Sequence, residues 1–379
     1  MKSLKLILIG TMLLGVSGLS AAKKEKKHIG TPELMGQIHG SIIKILPHSV
    51  GYVGFSSKAN RLMLAEEIGK LEELGQELKK STKGKDEAFE LIANNFSDDV
   101  KELAVSFKSE SYRHARFVFQ NITSNCISCH TRESGNSSFN KVPLYDSLSS
   151  SKLSKIEKAE LNTAIRKFDL AMDQYEDAFA KGNISKINSI LLEGYVIDYM
   201  ILGLKVKNEP KRVMKTLESI GYSPVVPVSL QKVVSKWVGF LKNYNGKKDY
   251  GHIDTVISLY ERGQSLNTHP FDSSSALAAI LVEKHLQDLL HHEEKMPKMV
   301  KSKAYLLYGL SEISLSRPNQ LSKAAFFLEK AILSYPKSDT AKEAYAVLED
   351  HIYFENSGSS GVNVPKNLLD KLEKLKKQL

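Results

Sequence analysis

Apolar residues recur at intervals of three and four along the first third of the chain, which is the spacing of an amphipathic helix. The first stripe consists of Leu34, Met35, Ile38, Ile42 and Ile45. The pattern predicts four helices with short loops, at about residues 31–46, 57–80, 86–107 and 112–131. The first of these is expected to end before Pro47, because proline lacks a backbone N–H group. Four such helices predict an all-α bundle.

Residues 134–152 are rich in serine and have few apolar positions, so we predict a linker there. Helical patterns then predict helices at about residues 152–181, 187–204, 228–241, 253–264 and 274–292. A final amphipathic stripe contains Leu368, Leu372, Leu375 and Leu379. We therefore predict a second, α-helical domain over residues 153–379.

The N-terminus has the pattern of a secretory signal peptide. Residues 1–5 carry two positive charges, residues 6–16 are almost entirely apolar, and small residues occupy positions 20 and 22. The apolar run is shorter than the roughly 20 residues that a membrane span needs. We expect residues 1–22 to be removed after Ala22 and the mature chain to be periplasmic, with no stable membrane span.

The formal net charge is +10, but lysines and acidic residues alternate along most of the sequence. No basic stripe with interleaved aromatic residues is present, so we do not expect nucleic-acid binding. An excess of positive charge favours acidic protein partners.

Only two cysteines occur in the chain, and both lie in the pentapeptide Cys126-Ile127-Ser128-Cys129-His130. C-x-x-C-H is the attachment signature of haem c. Residues three apart share a helix face, so both thiols can add to the vinyl groups of one porphyrin while the histidine reaches the iron. A thioredoxin-like pair would need a preceding strand, and a zinc site would need a second cysteine pair. A short-range disulfide stays open as an alternative.

A helical bundle with this motif near the end of its last helix resembles the class II c-type cytochromes, the cytochrome c-prime type. The resemblance covers about residues 28–135. It implies a four-helix haem bundle over residues 23–133, with one covalent haem c on Cys126 and Cys129 and with His130 as the proximal iron ligand.

The same resemblance directs attention to the first helix, because low-spin members of this family take their sixth iron ligand there, from a methionine. Met35 is the candidate for this distal position, and its thioether would favour the reduced iron. Alternatively, Met35 only fills the core. His39 lies one helical turn further on the same side and would give a bis-histidine site instead. The lesser candidates are His28, His48, Met63 and His114.

Part of the second domain resembles a tetratricopeptide repeat (TPR). Ala324, Leu328, Ala331 and Pro336 match positions of the second repeat helix, and Tyr308-Gly309 falls where the first helix expects a small residue. About three extra residues near positions 317–318 break the 34-residue period. The resemblance implies a protein-binding surface. A domain that only supports the haem bundle is the alternative.

No glycine-rich phosphate loop, nucleophile elbow or paired-carboxylate motif is visible, so we do not expect an enzyme. The sequence predicts one-electron transfer with a redox partner protein that docks through the helical domain. A gas-binding or sensor haem protein, and an interaction scaffold with a structural haem, stay open.

Overall fold

The protein is mostly α-helical, as predicted. The structure, a computed structural model, describes residues 30–49, 52–83, 87–131, 153–164, 166–180, 184, 187–246, 250–269, 272–291, 293–315, 323–359 and 361–379. The predicted signal peptide at residues 1–22 and the predicted linker at residues 134–152 lie outside these residues. Within them, no helix combines the length and the apolar character needed to cross a membrane.

The described chain up to residue 131 forms helices α1 (Thr31–Ser49), α2 (Tyr52–Ser56), α3 (Arg61–Thr82), α4 (Glu87–Lys108) and α5 (Tyr112–His130). Helix α3 packs between α1 and α4, α4 packs on α5, and the short α2 contacts both α1 and α5. Their buried apolar side chains, from Leu34 to Ile122, make one cluster together with Leu153 and Leu161. We call this cluster the N-terminal core.

The following helices are α6 (Lys155–Ala164), α7 (Phe168–Ala180), α8 (Ser189–Met200), α9 (Pro210–Gly221), α10 (Val228–Lys242), α11 (Ile253–Gln264), α12 (Ala276–Leu290), α13 (Lys298–Ser314), α14 (Ala324–Ser334), α15 (Asp339–Glu355) and α16 (Lys366–Lys376). Helix α8 continues as a π-helix at Ile201–Val206, and 3₁₀ turns lie at Ser273–Ser275 and Glu293–Lys295. Two short antiparallel strands, β1 (Ser357–Gly358) and β2 (Gly361–Val362), pair Ser357 with Val362.

These helices pack mainly as sequence neighbours, in the pairs α6 with α7, α9 with α10, α12 with α13, α13 with α14, and α14 with α15. Their buried apolar side chains, from Ile156 to Leu375, form a second cluster, which we call the C-terminal core. It contains Trp237, the only tryptophan of the chain.

Helix α6 belongs to both cores. Leu161, and Leu153 just before the helix, pack into the N-terminal core. Ile156 and Ala159 pack into the C-terminal core. Helix α6 also contacts α5, the helix that carries the cysteine motif. The two clusters therefore meet across a single helix.

The sequence predicted that the first helix ends before Pro47, but α1 continues to Ser49. Proline in the last turn forfeits one backbone hydrogen bond, to the carbonyl group of Ile43. Other bonds hold this turn: the Ser49 hydroxyl donates to the carbonyl oxygen of Leu46 at 2.8 Å, and Arg116 Nε donates to that of Ser49 at 2.6 Å. The arginine of α5 thus binds a carbonyl group that the end of α1 leaves without a helical partner.

The single helix predicted at residues 152–181 is wrong, because α6 and α7 are separate helices. Arg166 adopts a left-handed conformation, with φ of 61°. Its N–H donates to Thr163 O, and the N–H of Lys167 donates to Asn162 O. This is a Schellman ending. Glycine usually occupies the left-handed position, so an arginine there gives no signal in the sequence.

Two smaller predictions also need correction. Helix α9 was missed, although Pro210 stands at its first position and Gly221 at its last, as helix ends favour. The second predicted helix, at about residues 57–80, is α3 at Arg61–Thr82, in which Leu62 is 87% exposed and Leu64 is buried. The buried positions Leu64, Ile68 and Leu71 keep the spacing of four and three.

Candidate haem-iron site

The cysteine motif occupies the C-terminal end of α5, whose last residue is His130. Cys126 and Cys129 lie in the helical part of the backbone, but their side chains are outside the described part of the structure. The His130 side chain is half-buried. Upstream in the helix, Ala115 and Phe119 are fully buried in the N-terminal core. This packing fixes which way the end of α5 faces.

A buried carboxylate fixes the position of α1. Glu67 of α3 accepts hydrogen bonds from Ser41 Oγ at 3.0 Å, from Lys44 Nζ at 2.7 Å and from Lys70 Nζ at 3.2 Å. Burial alone would raise the pKa of Glu67, but the bonds from the two lysines and the serine outweigh it and hold the pKa below its usual value. Because Ser41 and Lys44 both face α3, they determine the rotation of α1 about its axis.

His39 is the unusual residue of α1. Its side chain is buried in the N-terminal half of the protein, and both ring nitrogens find no hydrogen-bond partner among the described residues. Burial, with smaller contributions from the nearby His130 and Lys167, lowers the pKa of His39 to about 4. The ring is therefore neutral at pH 7. A buried polar group without a partner costs about 1–3 kcal/mol, so a ring placed in this way calls for an explanation.

Met35, the candidate that the sequence placed at the distal position, is half-buried and packs against the N-terminal core. Of the lesser candidates, His48 and Met63 are half-buried, and His28 lies outside the described residues. His114 is exposed, and its Nε2 lies 2.7 Å from Glu102 Oε1. Of these side chains, His39 is the one whose buried nitrogens lack a partner among the described residues.

The connection between α6 and α7 also reaches this region. The ammonium group of Lys167 is near enough to His39 to disfavour a positive charge on the ring. Sequence reasoning missed Lys167, since nothing local shows that a residue beyond the linker comes back to α1. Arg116 of α5 binds the end of α1.

A second group of ionisable side chains lies in the helical region after residue 200. Lys205 of the π-helical segment donates to Glu283 Oε2 at 2.7 Å, and Lys323 Nζ lies 2.8 Å from Glu312 Oε1. All four side chains are buried or nearly so. Burial raises the pKa of Glu283, although the neighbouring Lys205 opposes this. Two acids and two bases balance each other, so this cluster is explained by its own ion pairs.

Among the described side chains, no group of three or more His, Cys, Asp or Glu residues is arranged to hold a metal ion. Comparisons with protein-family models, with curated proteins and with solved structures give no match to this chain. The cysteine motif and the surroundings of His130 are therefore the features of this chain that indicate a function.

Proposed function

We propose that the chain is an exported mono-haem c-type cytochrome that transfers single electrons to or from a protein partner. The observation that carries the proposal is the C-x-x-C-H motif at the end of α5, the only place where this chain has cysteines. Export, which a periplasmic cytochrome requires, is supported by the signal-peptide pattern of residues 1–22.

The residues present fit a haem. Cys126 and Cys129 would bind it covalently, and His130 would ligate its iron from the proximal side. The buried ring of His39 would add a nitrogen donor that has no other partner among the described residues. A bound haem supplies an iron that alternates between the ferrous and ferric states. Cys126, Cys129 and His130 would hold that haem at the end of α5.

The packing of α1, α3, α4 and α5 around one core supports the four-helix haem bundle that the resemblance to class II cytochromes implies. In such a bundle a haem would be held in the core, between side chains of facing helices. A partner needs to approach only its exposed edge, through a small transient interface.

The helical region after residue 153 is proposed to bind that partner. Its most closely packed pair, α13 with α14, contains the TPR-like residues. A Cβ atom on Gly309 of α13 would lie 2.7 Å from Leu328 Cγ of α14, so the two helices approach at a position where only glycine fits. This is the close approach that the small residue of a TPR-like pair allows. The net charge of +10 favours an acidic partner.

The test is whether the protein binds haem covalently. The full chain, made in a host that attaches haem c, should keep its colour after acid-acetone extraction and should stain for haem on a denaturing gel. Cys126→Ala with Cys129→Ala should lose the colour while the helix content stays close to that of the wild type. The mature N-terminus should be Lys23. Haem that leaves the wild type with the solvent would overturn the proposal.

A reversible one-electron reduction, with no ferrous spectral change on adding carbon monoxide, supports electron transfer. A carbon monoxide complex at equilibrium would favour the gas-binding alternative instead. If the helical region binds its partner equally well with and without haem, the result would favour the third alternative, an interaction scaffold with a structural haem.

A further inference from the structure

We propose that His39 of α1 is the second axial ligand of the haem iron, opposite His130, so that the centre is bis-histidine. This inference rests on the proposed function, because it needs a haem on Cys126 and Cys129. It replaces Met35, the distal ligand that the family resemblance suggested.

The first observation is the state of the His39 ring. The side chain is 7% exposed and lies on a helix whose neighbouring residues, Leu34, Ile38, Ile42 and Ile43, are buried apolar side chains. Neither ring nitrogen has a hydrogen-bond partner among the described residues. Buried histidines normally satisfy at least one nitrogen, so this ring suits an iron better than it suits an apolar core.

The second observation is the direction in which the ring faces. His39 precedes Ser41 by two residues, which is about 200° around the helix. Ser41 and Lys44 bind Glu67 of α3, so His39 lies on the side of α1 turned away from that contact. Helix α1 also contacts α5, which ends at His130, and His130 lies near enough to lower the pKa of the His39 ring. The two histidines therefore belong to one neighbourhood, although they lie on the first and last helices of the N-terminal core.

Met35 lies one turn before His39 on the same side of α1. Its thioether needs no hydrogen bond, and its half-buried position against the N-terminal core is accounted for by packing alone. The burial of the two ring nitrogens of His39 is not accounted for by packing. Between the two candidates, the structure favours the histidine.

The assignment has spectroscopic consequences. Two imidazole ligands give a six-coordinate, low-spin iron in both oxidation states. The ferric protein should lack the weak red absorption band that a methionine sulfur ligand produces. Methionine ligation raises the potential of a haem, so a bis-histidine centre should have a lower potential than a histidine–methionine centre.

The experiment compares full-length wild type, His39→Ala, His39→Met and, as the matched control on the same face, Met35→Leu. Each carries covalent haem, quantified by haem staining against total protein. We expect low-spin spectra from the wild type and from Met35→Leu. His39→Ala should become high spin and bind carbon monoxide, and added imidazole should restore the low-spin spectrum. His39→Met should acquire the red band and a higher potential.

Imidazole rescue separates ligation from a purely structural role, because free imidazole can replace a missing ligand but not a missing core contact. His39→Met keeps a side chain in the core, so it tests the assignment if the alanine variant unfolds. A His39→Ala protein that keeps its haem and stays low spin would overturn the inference, as would a high-spin wild type. In both cases the proposal that the haem is covalently bound would be unaffected. Loss of covalent haem from the wild type would instead refute the proposed function.

Discussion

The buried carboxylate of Glu67 allows a quantitative test of how α1 is held beside α3. Its side chain is 6% exposed and accepts hydrogen bonds from Ser41, Lys44 and Lys70. A hydrogen bond to a charged group contributes about 1.5–3 kcal/mol, and the buried bond from Ser41 to the Glu67 carboxylate belongs to this class. Because both lysines are nearly half exposed, each ion pair adds only about 0.2–1 kcal/mol.

Glu67→Gln keeps the shape of the side chain and one accepting oxygen but removes the charge. Part of the stabilisation from these three bonds is therefore lost. We expect the free energy of unfolding to fall by about 1–3 kcal/mol at neutral pH. Urea denaturation followed by circular dichroism measures this change. The matched control is Glu66→Gln on the next residue, whose carboxylate is 66% exposed and pairs with Lys70 at 2.6 Å. Glu66→Gln should lower the free energy of unfolding by no more than about 0.5 kcal/mol.

The same substitution makes a prediction about pH. The folded-state pKa of Glu67 lies below its usual value, so the charged form stabilises the fold. Such a contribution is complete above the unfolded pKa and is lost as the pH falls through the folded pKa. The stability difference between wild type and Glu67→Gln should be full above about pH 5 and should shrink below about pH 4. A difference that does not change with pH, or equal effects of Glu66→Gln and Glu67→Gln, would refute the reasoning.

Two further predictions concern the helical region after residue 153. Gly309→Ala forces a methyl group against Leu328 and should destabilise by about 1–3 kcal/mol in a thermal melt, whereas Gly239→Ala, whose added carbon meets no atom within 4 Å, should stabilise by about 0.5–1 kcal/mol. Glu283→Ala leaves the buried Lys205 without its partner and should cost about 3–5 kcal/mol, while adding Lys205→Met should recover most of that loss. A double variant as unstable as Glu283→Ala would contradict this account.

Much of the helical pattern was predictable because its signals are local. Helix α11 begins and ends at the predicted residues, Ile253 and Gln264, and α5 differs from its prediction by one residue. An apolar stripe and a polar connection suffice to define these helices. The break at Arg166 was not predictable, because it depends on a backbone conformation that arginine seldom adopts.

The candidate site, like the fold, could be predicted only in part from the sequence. The motif at Cys126–His130 is contiguous, so the sequence alone predicts the haem and its proximal ligand. For the distal position the sequence named Met35, with His39 as the alternative, and it could not test this choice because the two residues share one helix face. Deciding between them requires the burial of the His39 ring and its closeness to His130 and Lys167. Those are tertiary facts, set by packing between residues distant in the chain.

The helix α6 that the two cores share has a consequence for the order in which the chain matures. A protein is made from its N-terminus, so the cysteine motif emerges before Leu153 and Leu161 exist to complete the N-terminal core. Until α6 arrives, the helices around the motif lack the apolar side chains that cover them from that direction. Under the proposed function, the two thiols would react with a haem during this interval, before α6 completes the N-terminal core.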